Sequence, residues 1–210
     1  MSRFCIYPAL ALMAILTIAA NGSLLAAVDP VASYLGPFEG ASNFDEIVQE
    51  FEISDSGLLI SLAAHVPTMP SQIDTYEFAW ELLDAAGFDD KLINIDELPV
   101  IFSGAAWSDT TTLDDPWDAA PVPLAADLDF PVTAGQRFML LIRIDNSVQW
   151  TAMWISGAAS LPGEAYQRKY MRYIGPWQHV LGTEFGRLVE VDPAVSTAEQ
   201  TWSAVKKLYH

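Results

Sequence analysis

Strict alternation of apolar and polar side chains over residues 75–82 sets the first limit on what this chain can fold into. Tyr76, Phe78, Trp80 and Leu82 recur at every second position, with Glu77 and Glu81 between them. A period of two places the four large apolar side chains on one face of an extended strand and both carboxylates on the other, which a helix of 3.6 residues per turn does not do. Residues 58–66 repeat the pattern, with Leu58, Ile60, Leu62, Ala64 and Val66 on one face. Residues 137–145 do so again, with Phe138, Leu140, Ile142 and Ile144 inward and Arg137, Arg143 and Asp145 outward. Further strands are expected at 47–53, 99–102, 148–156, 166–174 and 187–191. Polar turn clusters separate them, such as Ser54-Asp55-Ser56-Gly57 and Thr133-Ala134-Gly135-Gln136. Many short strands joined by such turns predict an all-β fold, an antiparallel β-sandwich. Residues 83–98 and 103–126 are expected to be long loops.

The two ends depart from this pattern. Arg3 precedes a nearly unbroken apolar run over 6–20, followed by small residues at Asn21-Gly22-Ser23 and Ala26-Ala27. That is the form of a secretory signal peptide, a helix removed near Ala27 or, with better small-residue spacing, after Gly22. An uncleaved anchor is the alternative, opposed by the three polar or small residues in the run and by the lack of cations after it. Residues 194–210 predict a short C-terminal helix, with Trp202, Val205 and Tyr209 as an apolar stripe and Lys206 and Lys207 near its end. The expected organisation is a signal peptide over 1–27, a lead-in over 28–45, the sandwich domain over 46–193 and a helical tail over 194–210. Cys5 leaves with the leader, so the mature chain carries no disulfide. Its roughly 180 residues are enough for one packed core.

Charge is unevenly spread. Residues 28–136 hold 21 acids and a single base, Lys91, a net −20. Residues 137–210 hold 6 acids and 8 bases, a net +2, and Arg3 brings the chain to −17. So acidic a chain lacks the clustered cations that phosphate binding needs, which excludes a nucleic-acid role. The acids serve either as a solvated surface suited to a salty medium or as ligands for calcium. Two loops concentrate them. Asp109, Asp114, Asp115 and Asp118 are the metal candidates, and Asp84, Asp89, Asp90 and Asp96 form a second group; neither has EF-hand spacing. No other cofactor is expected, and no membrane partner once the leader is gone.

Several segments carry a resemblance. Gln49-Glu50-Phe51-Glu52-Ile53, then Val132-Thr133-Ala134-Gly135-Gln136-Arg137-Phe138-Met139-Leu140, then Trp150, and Tyr173-Ile174-Gly175 with Trp177 resemble a loosely defined group of secreted bacterial β-sandwich modules of jelly-roll type. Such modules often stand beside anchors or on carbohydrate-active proteins, and the likeness implies a jelly-roll, carbohydrate-binding-module-like domain. The group's usual final strand is replaced here by Arg187-Leu188-Val189-Glu190-Val191. The ending, Thr201-Trp202-Ser203-Ala204-Val205-Lys206-Lys207-Leu208-Tyr209, is similar to a tail on assorted exported bacterial proteins, where Gly usually follows the Trp.

Catalytic machinery is sparse. There is no Gly-x-Ser-x-Gly elbow, no His-Glu-x-x-His and no phosphate-cradling glycine loop. His65 falls on the polar-facing side of its strand, and His210 is terminal. Aromatic residues point elsewhere: Trp150, Trp154, Tyr166, Tyr170, Tyr173 and Trp177 cluster in the half that also holds Arg143, Arg168 and Arg172. Flat aromatic faces stack on sugar rings, although large aromatics also fill sandwich cores. If Asn146-Ser147 is a two-residue hairpin loop, Arg143 pairs with Trp150, and Trp150 and Trp154 share the outer face; a three-residue loop turns both inward. Trp177, beside Gly175-Pro176, is the expected exposed platform. The reading is a secreted or cell-surface, non-catalytic module that binds carbohydrate or another extracellular ligand. Trp177 and Tyr173 would stack, Arg172 and His179 would hydrogen-bond, and Trp150 and Arg143 would flank them. The alternatives are an adhesive or structural surface module attached through its tail, and a glycoside hydrolase using two carboxylates across a cleft.

Overall fold

The computed structural model describes residues 27–42, 45–66, 76–108, 120–144, 154–158, 163–168 and 175–193. The expected leader, the Asn146-Ser147 pair and the segment expected to form a C-terminal helix lie outside them. Within them the chain is nearly all β. Fourteen strands run in order as β1 Ala27–Val28, β2 Gly40–Ser42, β3 Glu46–Glu52, β4 Gly57–Ala64, β5 Tyr76–Asp84, β6 Val100–Ser108 and β7 Val122–Ala125. They continue as β8 Phe130–Val132, β9 Arg137–Arg143, β10 Trp154–Ala158, β11 Ala165–Arg168, β12 Gln178–Val180, β13 Thr183–Phe185 and β14 Arg187–Asp192, with one 3-10 turn at Ile95–Glu97.

All named pairings are antiparallel. A six-stranded sheet has the order β12-β11-β3-β9-β5-β6. A second follows β1-β14-β4-β7, with β8 also on β4, and a third is β13-β10-β2. The six-stranded sheet and the β4–β14 sheet share one core, where Ile47, Phe51, Phe78, Trp80, Leu82, Phe138, Leu140 and Ile142 meet Leu59, Leu62, Ala64, Val189 and Val191. The alternation is realised over 78–82 and 138–144, because Phe78, Trp80, Leu82, Phe138, Leu140, Ile142 and Ile144 all lie in that core.

Several expectations need correction. The 58–66 segment does not keep one inner face. Ser61 opposes Glu190 while Leu59 opposes Val191, so Ile60 is the extra residue of a β-bulge. A bulge shifts parity, and the core therefore takes Leu59 before it and Leu62, Ala64 and Val66 after it. Residues 103–108 are strand rather than loop, since β6 pairs with β5 from Tyr76–Ser108 to Leu83–Val100. Arg143 lies opposite Glu46 on one side and Ala79 on the other, and Trp150 lies outside the described residues. Both edges of β9 are occupied by distant strands, and β10 pairs instead with β2 and β13.

The segment before β3 is built into the fold. Asp29 Oδ1 accepts from the Val31 and Ala32 amides at 2.9 and 3.0 Å, and its Oδ2 from Ser54 N at 2.9 Å. The Arg187 guanidinium, almost wholly buried, donates to Ala32 O at 2.7 Å and to Glu184 Oε2 at 2.6 Å. Burial raises the Glu184 carboxyl pKa, partly offset by Arg187, and burial lowers that of Arg187. His65 is buried rather than on a polar face, with its ring 4.9 Å from that of Phe38.

Candidate functional site

The site lies on the outer face of the six-stranded sheet, and register fixes what stands there. On that face β3 contributes Glu46, Val48 and Glu50, opposite Arg143, Leu141 and Met139 of β9. Ala79, Glu81 and Leu83 of β5 follow in the same rows. On the other side Arg168 opposes Glu46 and Tyr166 opposes Val48. The middle of this face is apolar, and it is covered. Val48, Leu83, Met139, Leu141 and Tyr166 form a second core with Ala85, Phe88, Ile95 and Leu98 from the β5–β6 connection, and with Trp177. Of the expected long loop over 83–98, Leu83 and Asp84 belong to β5 and the rest is a folded cover for the middle of the sheet.

At one end of the cover sits a charge network. The Glu46 side chain, 0 % exposed, accepts from Arg143 Nε at 2.8 Å and from Arg168 Nε. Arg143 also donates to Glu81 at 2.5 Å. Arg168 makes a two-pronged pair with Asp96 at 2.8 and 2.9 Å and lies over the Trp177 ring, 4.3 Å from its centroid. Burial alone would lower the pKa of both arginines. The hydrogen bonds and charges of Glu81 and Glu46 for Arg143, and of Glu46 and Asp96 for Arg168, turn the net shift upward. Both guanidiniums therefore stay charged at any physiological pH.

Past this network the sheet ends in an open shelf. On edge strand β6, Ser103, Ala105 and Trp107 share the outer face, opposite Glu81, Ala79 and Glu77. Trp107 is 61 % exposed, whereas Trp80 and Trp177 are buried. Ser103, Ala105, Ala79 and Glu77 are exposed beside it. Small side chains leave the indole exposed at one end of the strip, with the Arg143–Glu81 pair along its inner border. On the opposite face Gly104 meets Trp80, and a Cβ there would lie 2.9 Å from the Trp80 ring nitrogen, so only glycine lets β6 lie this close.

The expected binding residues are scattered by this arrangement. Arg143 lies on the border of the shelf but is committed to two carboxylates. Trp177 is not an exposed platform: Arg168 covers its ring and the second core surrounds it, because stacking removes more apolar area from water than exposure would allow. His179 is exposed on β12, stacked on Tyr166 with ring centroids 5.0 Å apart, and its Nε2 lies 2.5 Å from Glu164 Oε2. It shares the outer face with Arg143 but stands across four strands from the shelf. Trp150, Tyr173 and Arg172, and the metal candidates Asp109, Asp114, Asp115 and Asp118, lie outside the described residues. In the other acidic loop, Asp84 and Asp89 accept from the Ala86 and Lys91 amides at 3.0 and 2.9 Å, as turn-forming aspartates do, and Asp96 serves Arg168. Among the described residues no three His, Cys, Asp or Glu side chains are grouped so as to hold a metal ion.

Sequence reasoning missed Trp107 by assigning it to a loop. The signal was present as Ser103, Ala105 and Trp107 at alternate positions in a nine-residue stretch without charge. No protein-family model matches the chain, and no curated protein matches it. The likeness to secreted jelly-roll modules thus stands at the level of antiparallel sheets compatible with a sandwich.

Proposed function

We propose that the chain is an exported, non-catalytic β-sandwich module of jelly-roll type that binds a neutral carbohydrate on the β5–β6 shelf. The observation that carries this reading is Trp107, a large aromatic left 61 % exposed on the outer sheet face, whereas the described indoles of Trp80 and Trp177 are buried. An exposed Trp is costly to leave in water, and it is regained when a flat apolar face, such as one side of a sugar ring, stacks on it. Ser103, Glu77 and Glu81 around it offer hydroxyl and carboxylate partners for sugar hydroxyls. A net charge of −17 repels anionic glycans and nucleic acids, which selects neutral ones. The leader-like amino terminus supports a secreted or cell-surface location.

Affinity electrophoresis through gels containing hydroxyethylcellulose, glucomannan or laminarin tests the reading. At least one should retard the wild-type protein, and Trp107→Ala should migrate as in the gel without polysaccharide. Removing one stacking partner that is worth a few kcal/mol lowers affinity by roughly tenfold or more. Equal retardation of wild type and Trp107→Ala would dismiss the shelf as the site.

A further inference from the structure

A strand at the end of a sheet leaves one row of N–H and C=O groups without a ladder, and proteins blunt such rows with short strands, charges or proline. The other ends of the described sheets follow that rule. β12, β13 and β2 have three residues each, β1 has two, and β7 has four with Pro123 among them. β6 breaks it. It ends the six-stranded sheet with nine residues, none of them charged and none proline. Its register shift lies at the start, before Phe102, and leaves 102–108 regular. β7 runs beside β6 but takes its ladder from β4. Ser103, Gly104, Ala105 and Trp107 are exposed, and at Gly104 the exposed surface is backbone.

Charge decides what can occupy this edge. A net −17 makes two copies of the chain repel over most of their surface. At an uncharged edge they can meet with no carboxylate set directly against another, whereas a cationic partner gains nothing from a neutral strand. β6 also complements itself. An antiparallel ladder pairs residues of like parity, so a two-fold axis between two such strands passes through a residue. Ala105 is the middle of the stretch from Ser103 to Trp107. With the axis there, 102–108 of the two copies overlap. On the outer face Trp107 of each copy then falls opposite Ser103 of the other, and the two Ala105 side chains meet. Each large side chain faces a small one.

We propose that β6 pairs with β6 of a second copy about a two-fold axis at Ala105, which joins the two six-stranded sheets into one. The inference does not depend on sugar binding, but it lengthens the shelf. The two Trp107 side chains stand four residues and one strand spacing apart, about 14 Å. One strand pair is a small interface, below about 1,200 Å², so the dimer is weak and depends on concentration. Salt screens the repulsion between the acidic copies and should tighten it.

Sedimentation equilibrium of the protein over a concentration series, at low and high sodium chloride, tests the proposal. The wild type should pass from monomer to dimer, and at lower concentration in high salt. Ala105→Glu sets two carboxylates across the axis and should weaken the dimer by about tenfold or more. Mixing it with Ala105→Lys should restore dimer, because Glu then meets Lys. Both substitutions fall at an exposed position, and thermal melts matching the wild type check that each variant is folded. Amide hydrogen exchange at 103–107 should slow as dimer forms. A wild type monomeric at every concentration, a dimer weakened by salt, Ala105→Glu dimerising like the wild type, or a mixture no tighter than Ala105→Glu alone would overturn the proposal. So would slow exchange at 103–107 in the monomer, which would mean that another segment of this chain covers the edge.

Discussion

Glu46 is a single carboxylate with no side-chain exposure that holds two arginines from two neighbouring strands. Removing it leaves Arg143 and Arg168 short of a partner at the edge of a buried layer. Glu46→Gln should therefore destabilise the protein by about 3–5 kcal/mol, read as the shift in urea midpoint. The core pair of Arg187 and Glu184 makes a contrasting case. Either single substitution, Arg187→Met or Glu184→Leu, strands a buried charge and should cost about 3–5 kcal/mol, whereas the double substitution should recover most of that loss. A double-mutant cycle measures it. Glu184 also sets a pH slope. Its folded pKa lies above the unfolded value, so its contribution is fullest below the ordinary carboxylate range and is lost as pH rises through the folded pKa. The stability difference between wild type and Glu184→Gln should fall steadily from pH 4 upward, and a difference that grew with pH would reverse the assignment. The pairs made by Glu46 could not be read from the sequence. Residues 46 and 168 are far apart along the chain, and only the sheet register brings them together.

Elements were more legible than their partners. The alternation over 78–82 and 138–144 specified strands and inner faces correctly, since each side chain's direction is set locally by the pleat. The alternation over 58–66 misled up to Ile60 and held after it, because a bulge is decided by the strand opposite. The β5–β6 connection reads as a loop in the sequence, and in the fold its apolar residues Phe88, Ile95 and Leu98 are buried against the sheet. Tertiary burial alone fixes their positions. Its role as a cover makes a sharp prediction. Ile95→Ala should cost about 2–5 kcal/mol, as deletion of a buried aliphatic side chain does, while Leu92→Ala, at a residue 75 % exposed, should stay within about 0.5 kcal/mol of wild type. Thermal or urea denaturation of the two variants decides this, and equal effects would mean that the connection does not cover the sheet. The turn cluster at 133–136 was read correctly. Gly135 adopts φ +81°, and Gln136 N bonds to Thr133 O at 2.9 Å.

For the whole molecule, the account depends on a sheet covered on one face by the common core, covered over most of the other by residues 85–98 and Trp177, and left open at β6. Long-range pairing governs this layout, because β9 joins β3 and β5, neither its immediate neighbour in the chain. Sequence reading placed the aromatic surface at Trp177, where stacking under Arg168 instead buries the ring. It passed over Trp107, where the sheet runs out of cover. Hydroxyl-radical footprinting of the tryptophans, with and without the polysaccharide that retards the protein most, tests both halves of the claim in one experiment. Trp107 should oxidise much faster than Trp80 and Trp177 in the free protein and become protected when glucomannan, or whichever of the three glycans binds, is added. Trp177 reacting as fast as Trp107, or Trp107 left unprotected by all three glycans, would contradict it.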